Sequence, residues 1–276
     1  MDFGISTFVT DEGIRPGVLG RALEERGFDS LFLAEHSHIP ASRESPYPPG
    51  GDLPRIYYRT LDPFVTLAAI AETTSNLLLG TGVALLVQRD LFHTAKEVAS
   101  LDLISGGRVL FGVGVGWNRE EMRNHGTDPR TRGALLDEQL QALKLLWTRE
   151  EAEFHGKFVD FDPVFSWPKP VREPHPPIYI GGESEAALNR LAKYGDGWLP
   201  RPGTTPEEIR RVKGWLAEQG RENVPVTIFG ARADAGEAAA LAEASVDRLT
   251  FLLPTLPEAE SLRKLDEFAR FAGGFR

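Results

Sequence analysis

The sequence predicts an α/β fold, a (β/α)₈ barrel formed by one domain over residues 1–276, and three observations point to it. Eight short apolar runs rich in β-branched or aromatic residues alternate with eight segments whose apolar residues recur every three or four positions. A parallel sheet with that many right-handed crossovers closes most simply into a barrel, with an open doubly wound sheet as the rival. The length of 276 residues, with 41% hydrophobic content, suits a barrel, which needs roughly 250 residues.

In chain order, a strand at 2–9 precedes a helix marked by Val18, Ala22 and Leu23, and a strand at 30–35 precedes one marked by Leu67, Ile70 and Ala71. The run 77–85 leads to Ala95, Val98 and Ala99, and 108–115 leads to Leu136, Leu140, Leu143 and Trp147. In the second half, 177–181 leads to Leu188 and Leu191, and 196–200 to Ile209, Val212 and Leu216. The last two strands, 225–230 and 247–253, lead to Leu241 with its neighbouring alanines and to Leu262, Leu265 and Ala269. Each of these spacings puts one apolar stripe on a helix, as packing against a sheet requires.

Two connections are too long for simple turns. Residues 36–60 follow the second strand, so a barrel places them at its C-terminal face, where active sites lie, and they read as a lid. Residues 148–176 read as an insertion that leads from a helix into a strand; they belong to the opposite, N-terminal face and are expected to be structural.

Composition narrows the function. Forty acidic residues against 31 basic ones give a net charge of −9, which opposes binding to nucleic acid or to anionic membranes and leaves a small molecule as the expected partner. The absence of cysteine removes disulfides, thiolate metal sites and a cysteine nucleophile. The first residues carry no basic stretch followed by an apolar one, and no apolar run approaches the roughly 20 residues of a membrane span, so a cytoplasmic location is expected. The six histidines show no metal-ligand spacing, and no metal site is expected.

The third strand, LLLGTGVAL, puts Gly80, Gly82 and Ala84 on one face, and the fourth, RVLFGVGVG, does the same with Gly112, Gly114 and Gly116. Bare strand faces suggest a slot for a flat ring, and relief of crowding inside a narrow barrel is the alternative. GVGVGWN fails the GxGxxG dinucleotide pattern, because Trp117 stands where a third glycine belongs. In PIYIGGESEAAL a strand runs through Gly181 and Gly182 into Ser184 at a helix start, which is either a phosphate cradle of free N–H groups or a simple helix cap. Glu35 and His36 close the second strand and are candidates for moving a proton; His93, after the third strand, is another. Trp117, Asn118 and Glu120 could line the same mouth.

The segments LAEH, LGTGVALLVQRDLFHTAKEVASLDLISGGRVLFGVGVGWNREEM, FHGKFVDF and PIYIGGESEAALNRLAKYGDGW together resemble the luciferase-like monooxygenase superfamily. The stretch from Leu79 to Met122 looks most like its branch that uses the 8-hydroxy-5-deazaflavin coenzyme, coenzyme F-420. This resemblance implies a luciferase-like barrel, usually a homodimer, holding the deazaflavin at its C-terminal mouth above a cis Gly82–Val83 peptide. It maps the acidic residue and histidine ending the second strand to Glu35 and His36 and the phosphate loop to Gly181, Gly182 and Ser184. Taken with the strand faces and strand ends, the expected cofactor contacts are Gly82, Val83, Gly114, Gly116, Asn118, Gly181, Gly182 and Ser184, and the expected catalytic residues His36, Glu35 and His93. The expected activity is hydride transfer between the deazaflavin and a small organic substrate. The alternatives are a flavin mononucleotide (FMN) monooxygenase served by a separate flavin reductase, and a non-catalytic flavin- or deazaflavin-binding protein. Sugar-phosphate dehydrogenases of this superfamily carry a proton-donating glutamate where this chain has Trp117, which speaks against that substrate.

Overall fold

The computed structural model describes residues 1–275. Its strands are β1 (Asp2–Thr7), β2 (Ser30–Leu33), β3 (Leu78–Thr81), β4 (Ala84–Leu85), β5 (Val109–Gly114), β6 (Glu151–His155), β7 (Asp160–Phe165), β8 (Ile178–Gly181), β9 (Gly197–Leu199), β10 (Thr227–Ala231) and β11 (Arg248–Leu253). The helices are α1 (Pro16–Glu25), α2 (Ile56–Arg59), α3 (Pro63–Ala71), α4 (Leu91–Ser105), α5 (Arg119–Asn124), α6 (Arg132–Thr148), α7 (Glu185–Tyr194), α8 (Pro206–Glu218), α9 (Ala235–Glu243) and α10 (Glu258–Gly273).

Eight parallel strands pair in the order β10-β11-β1-β2-β3-β5-β8-β9, and the short β4 pairs with β5. A single bridge, Trp198 to Val226, joins the two ends of that path, so the sheet closes into a barrel and the open-sheet alternative is set aside. All eight expected strands are present.

The barrel has two cores. Leu, Ile, Val and Ala from the outer strand faces and from the helix stripes form one continuous layer between strands and helices. Inside the barrel, Phe32, Leu110, Tyr179 and Leu199 are buried together, with Leu78, Val83 and Phe229 packed on them. Burying both faces is why these strands read as apolar runs rather than as alternating patterns. Six helices start on a side chain that accepts a first-turn N–H: Asp62 for α3, Asp90 for α4, Asn118 for α5, Ser184 for α7, Thr205 for α8 and Asp234 for α9. At α8, Thr205 and Glu208 form a reciprocal capping box.

The two bare faces do not form the open floor expected of them. The Gly82–Val83 peptide is cis, and β3 ends at Thr81, so Ala84 joins the outer core instead of sharing a face with Gly80 and Gly82. A Cβ on Gly80 would strike Phe32, one on Gly82 would lie 2.6 Å from Phe229, and one on Gly112 would strike the Thr81 carbonyl. Gly114 faces Val83 at 2.7 Å, and Gly116 sits in a left-handed turn (φ 72°) against Leu85, Gln88 and Met122. Crowding inside the barrel accounts for these glycines, because large rings and the Val83 side chain already occupy the space.

Residues 148–176 hold structure that no apolar run announced. They contain the antiparallel hairpin β6–β7, a two-stranded sheet separate from the barrel. Its turn is held by Glu138 of α6, which accepts the N–H groups of Lys157, Phe158 and Val159. Phe161 of the hairpin packs edge-on against Phe92 at the start of α4, with ring centroids 5.0 Å apart. No helix among the described residues is long and apolar enough to cross a membrane.

Candidate active site

The C-terminal ends of β1, β2 and β5, together with the 36–60 connection, build one aromatic wall. Phe8, His36, Tyr47, Tyr57 and Trp117 contribute its rings, with His36 5.2 Å from Tyr57 and 5.7 Å from Trp117 between centroids. Burial and the neighbouring Tyr47 hydroxyl push the Tyr57 phenol well above its usual range, so it stays a neutral O–H.

His36 is buried and its Nδ1 lies 2.8 Å from Oε2 of Glu121, itself fully buried on α5. A carboxylate only accepts, so Nδ1 donates its N–H to Glu121 and Nε2 is the ring nitrogen left facing the mouth. Among the described residues, Nε2 has no hydrogen-bond partner. The other Glu121 oxygen accepts the Ser37 N–H at 3.2 Å, and the Glu121 N–H is capped by Asn118, so the carboxylate is held from both sides. This pair can take a proton from, or return one to, a bound hydroxyl or carbonyl oxygen.

Glu35 does not join that chemistry. Its carboxylate accepts from the Leu85 N–H at 2.6 Å and from Arg89 Nε at 2.7 Å. Burial pushes it above the usual carboxylate range against the pull of Arg89 and that N–H. Arg89 also pairs with Asp62 and Glu97, both at 2.6 Å, which ties the end of β2 to the starts of α3 and α4. Glu35 is thus part of an ion-pair network that joins the barrel to α3 and α4. His93 lies one turn away on α4 with its side chain 84% exposed, paired with Asp90 at the rim of a cleft that also touches His36. So placed, its ring stands in solvent, held by Asp90 alone among the described residues.

A second cleft of about 490 Å³ lies on the other side of the mouth, lined by Gly114, Gly181, Gly182, Ser184, Arg132 and Arg190 among others. Gly182 has φ 102°, a left-handed conformation that side chains rarely adopt, and a Cβ on Gly181 would come within 2.8 Å of Val83. Ser184 caps α7 through the Ala187 N–H, while the N–H groups of Glu185 and Ala186 have no acceptor among the described residues. Free N–H groups at a helix start form an anion site. The neighbouring arginines are mostly paired, Arg130 with Asp128, Arg190 with Asp137 and Arg201 with Glu183, whereas Arg132 bonds only the Pro129 carbonyl. Asn118 is wholly buried, caps α5 and leaves its Nδ2 without a partner.

Three parts of the site carry no sequence signal: Glu121 as the partner of His36, Arg89 as a hub, and Tyr47 and Tyr57 as wall. The His36 and Glu121 positions are 85 residues apart, and only the barrel brings them together.

The family model described as luciferase-like monooxygenase matches residues 17–272. An uncharacterized protein of Mycobacterium tuberculosis is 39% identical over 261 residues, covering 92% of each chain. The F-420-dependent hydroxymycolic acid dehydrogenase of M. tuberculosis is 26% identical over 204 residues, 71% of this chain and 52% of that protein. Among solved structures, an F-420-dependent secondary alcohol dehydrogenase in complex with an F-420–acetone adduct superposes over 100% of both chains with a TM-score of 0.77 at 18% identity.

Proposed function

The chain belongs to the luciferase-like monooxygenase family, and from that premise we propose that it is a coenzyme F-420-dependent oxidoreductase acting on a small alcohol or carbonyl compound. The observation that carries this reading is the buried His36–Glu121 pair with its free Nε2 on the aromatic wall. An alcohol–ketone interconversion needs one proton moved at the substrate oxygen, and a histidine oriented by a carboxylate is suited to that task. The named activity of the mycobacterial dehydrogenase agrees with it.

The chain's residues fit the cofactor. The start of α7, with Gly182 left-handed and two N–H groups free among the described residues, suits a phosphate, and Arg132 beside it pairs with no carboxylate among those residues. When bound, the deazaflavin supplies a two-electron acceptor or donor. His36 holds or gives the proton at the substrate oxygen, Glu121 fixes its tautomer, and the 36–60 lid with Tyr47 and Tyr57 excludes water from that mouth. The same phosphate cradle would suit FMN, and with that cofactor the protein would be a monooxygenase fed by a separate reductase.

The experiment is reduction of the deazaflavin by a panel of secondary alcohols, comparing the wild type with His36→Asn. The expected result is a fall in kcat of about 10²- to 10⁴-fold with deazaflavin affinity unchanged. Full activity in His36→Asn would remove the basis of this assignment.

A further inference from the structure

Arg43 is the one lid residue outside glycine in the left-handed region, at φ 51°, a conformation that persists only where the surroundings hold it. Its guanidinium lies over the Trp117 ring, 5.9 Å from the centroid, and its Nη1 is shielded from solvent with no hydrogen-bond partner among the described residues. The acids around it are committed elsewhere: Glu44 pairs with Arg123 at 2.8 Å, Glu120 accepts from Ser45, and Glu121 from His36 and Ser37. Arg43 as a whole is half-buried, so the remaining N–H groups of its guanidinium face the mouth without a hydrogen-bond acceptor among the described residues and are open to an anion.

His36 and Arg43 both flank Trp117, at 5.7 Å and 5.9 Å from its ring centroid, and each has a hydrogen-bonding nitrogen left unpartnered among the described residues. We propose that Arg43 anchors a carboxylate of the substrate, so that the compound this mouth takes is an organic acid whose apolar body lies on Trp117 and whose hydroxyl or carbonyl oxygen reaches His36 Nε2. A planar guanidinium fork matches a carboxylate in two parallel hydrogen bonds, which a neutral substrate could not use. The inference rests on the proposed function for the role of His36, whereas the binding of the acid by Arg43 stands on its own.

The test is calorimetric titration with benzoate and with benzamide, its uncharged isostere, against wild type, Arg43→Gln and Arg43→Lys, with and without saturating deazaflavin. Benzoate is expected to bind the wild type at least about tenfold more tightly than benzamide. That preference should vanish in Arg43→Gln and be partly kept in Arg43→Lys, with melting temperature and deazaflavin affinity unchanged. Equal binding of the two probes, no benzoate binding, or a preference that survives Arg43→Gln would each overturn the proposal. If the preference is present but the protein has no affinity for deazaflavin, the anchor stands and the cofactor reading falls.

Discussion

His36 and Glu35 are neighbours in the chain, yet the structure gives them different surroundings, and the difference lies in what each side chain meets. Glu35 meets Arg89 and a backbone N–H and is fully engaged, whereas His36 meets one carboxylate and keeps Nε2 open. Glu121→Gln should therefore lower kcat with little change in KM, because it affects the histidine's tautomer rather than the binding wall; a rise in KM alone would assign Glu121 to substrate contact. The sequence made the strand-end histidine visible but not its partner, since an acid next to an N-cap asparagine reads as helix-start chemistry. Gly114→Leu is expected to destabilise the fold by about 1–3 kcal/mol through overpacking against Val83, readable as a lowered midpoint in urea. Gly182→Val should weaken deazaflavin binding, and because φ is 102° there it also strains the folded state, so affinity has to be measured on the folded fraction.

At the scale of elements, the 36–60 lid is fastened chiefly to α5. Ser45 donates both its N–H and its hydroxyl to Glu120, Ser37 donates its N–H to Glu121, and Arg123 pairs with Glu44. Burial pushes the Glu120 carboxyl up, and the Ser45 hydrogen bonds outweigh it, holding the group below its ordinary value of 4.5. A carboxyl whose folded pKa is lowered stabilises the folded state above its unfolded pKa and loses that contribution as pH falls through the folded value. Proteolysis within 41–53 should accordingly be slow at neutral pH and accelerate only below about pH 4.5, and Ser45→Ala should bring that acceleration to neutral pH; identical digestion of both proteins would show that the latch does not restrain the lid. The lid's position was readable from strand order alone, whereas its latch joins residues 75 apart and had no local trace. The 148–176 hairpin escaped prediction for a related reason: its strands are half-exposed and pair only with each other, so they lack the apolar runs of the barrel strands.

The whole molecule was the most legible level, because eight strands buried on both faces write themselves as eight apolar runs and the crossover rule closes them. What periodicity could not show is the seam. β9 and β10 are joined by the single Trp198–Val226 bridge, while β1 and β11 are paired along six residues. Amide exchange should therefore be faster at 227–231 than at 248–253, and equal protection would mean that the seam is as firm as the rest of the barrel. The barrel sets the α7 cleft and the His36 wall both at the C-terminal ends of its strands, in a chain that as a whole carries −9. Titration of the purified protein with the deazaflavin coenzyme and with FMN, side by side, tests the central claim most directly. The account predicts tighter binding of the deazaflavin, and equal or tighter binding of FMN would contradict it.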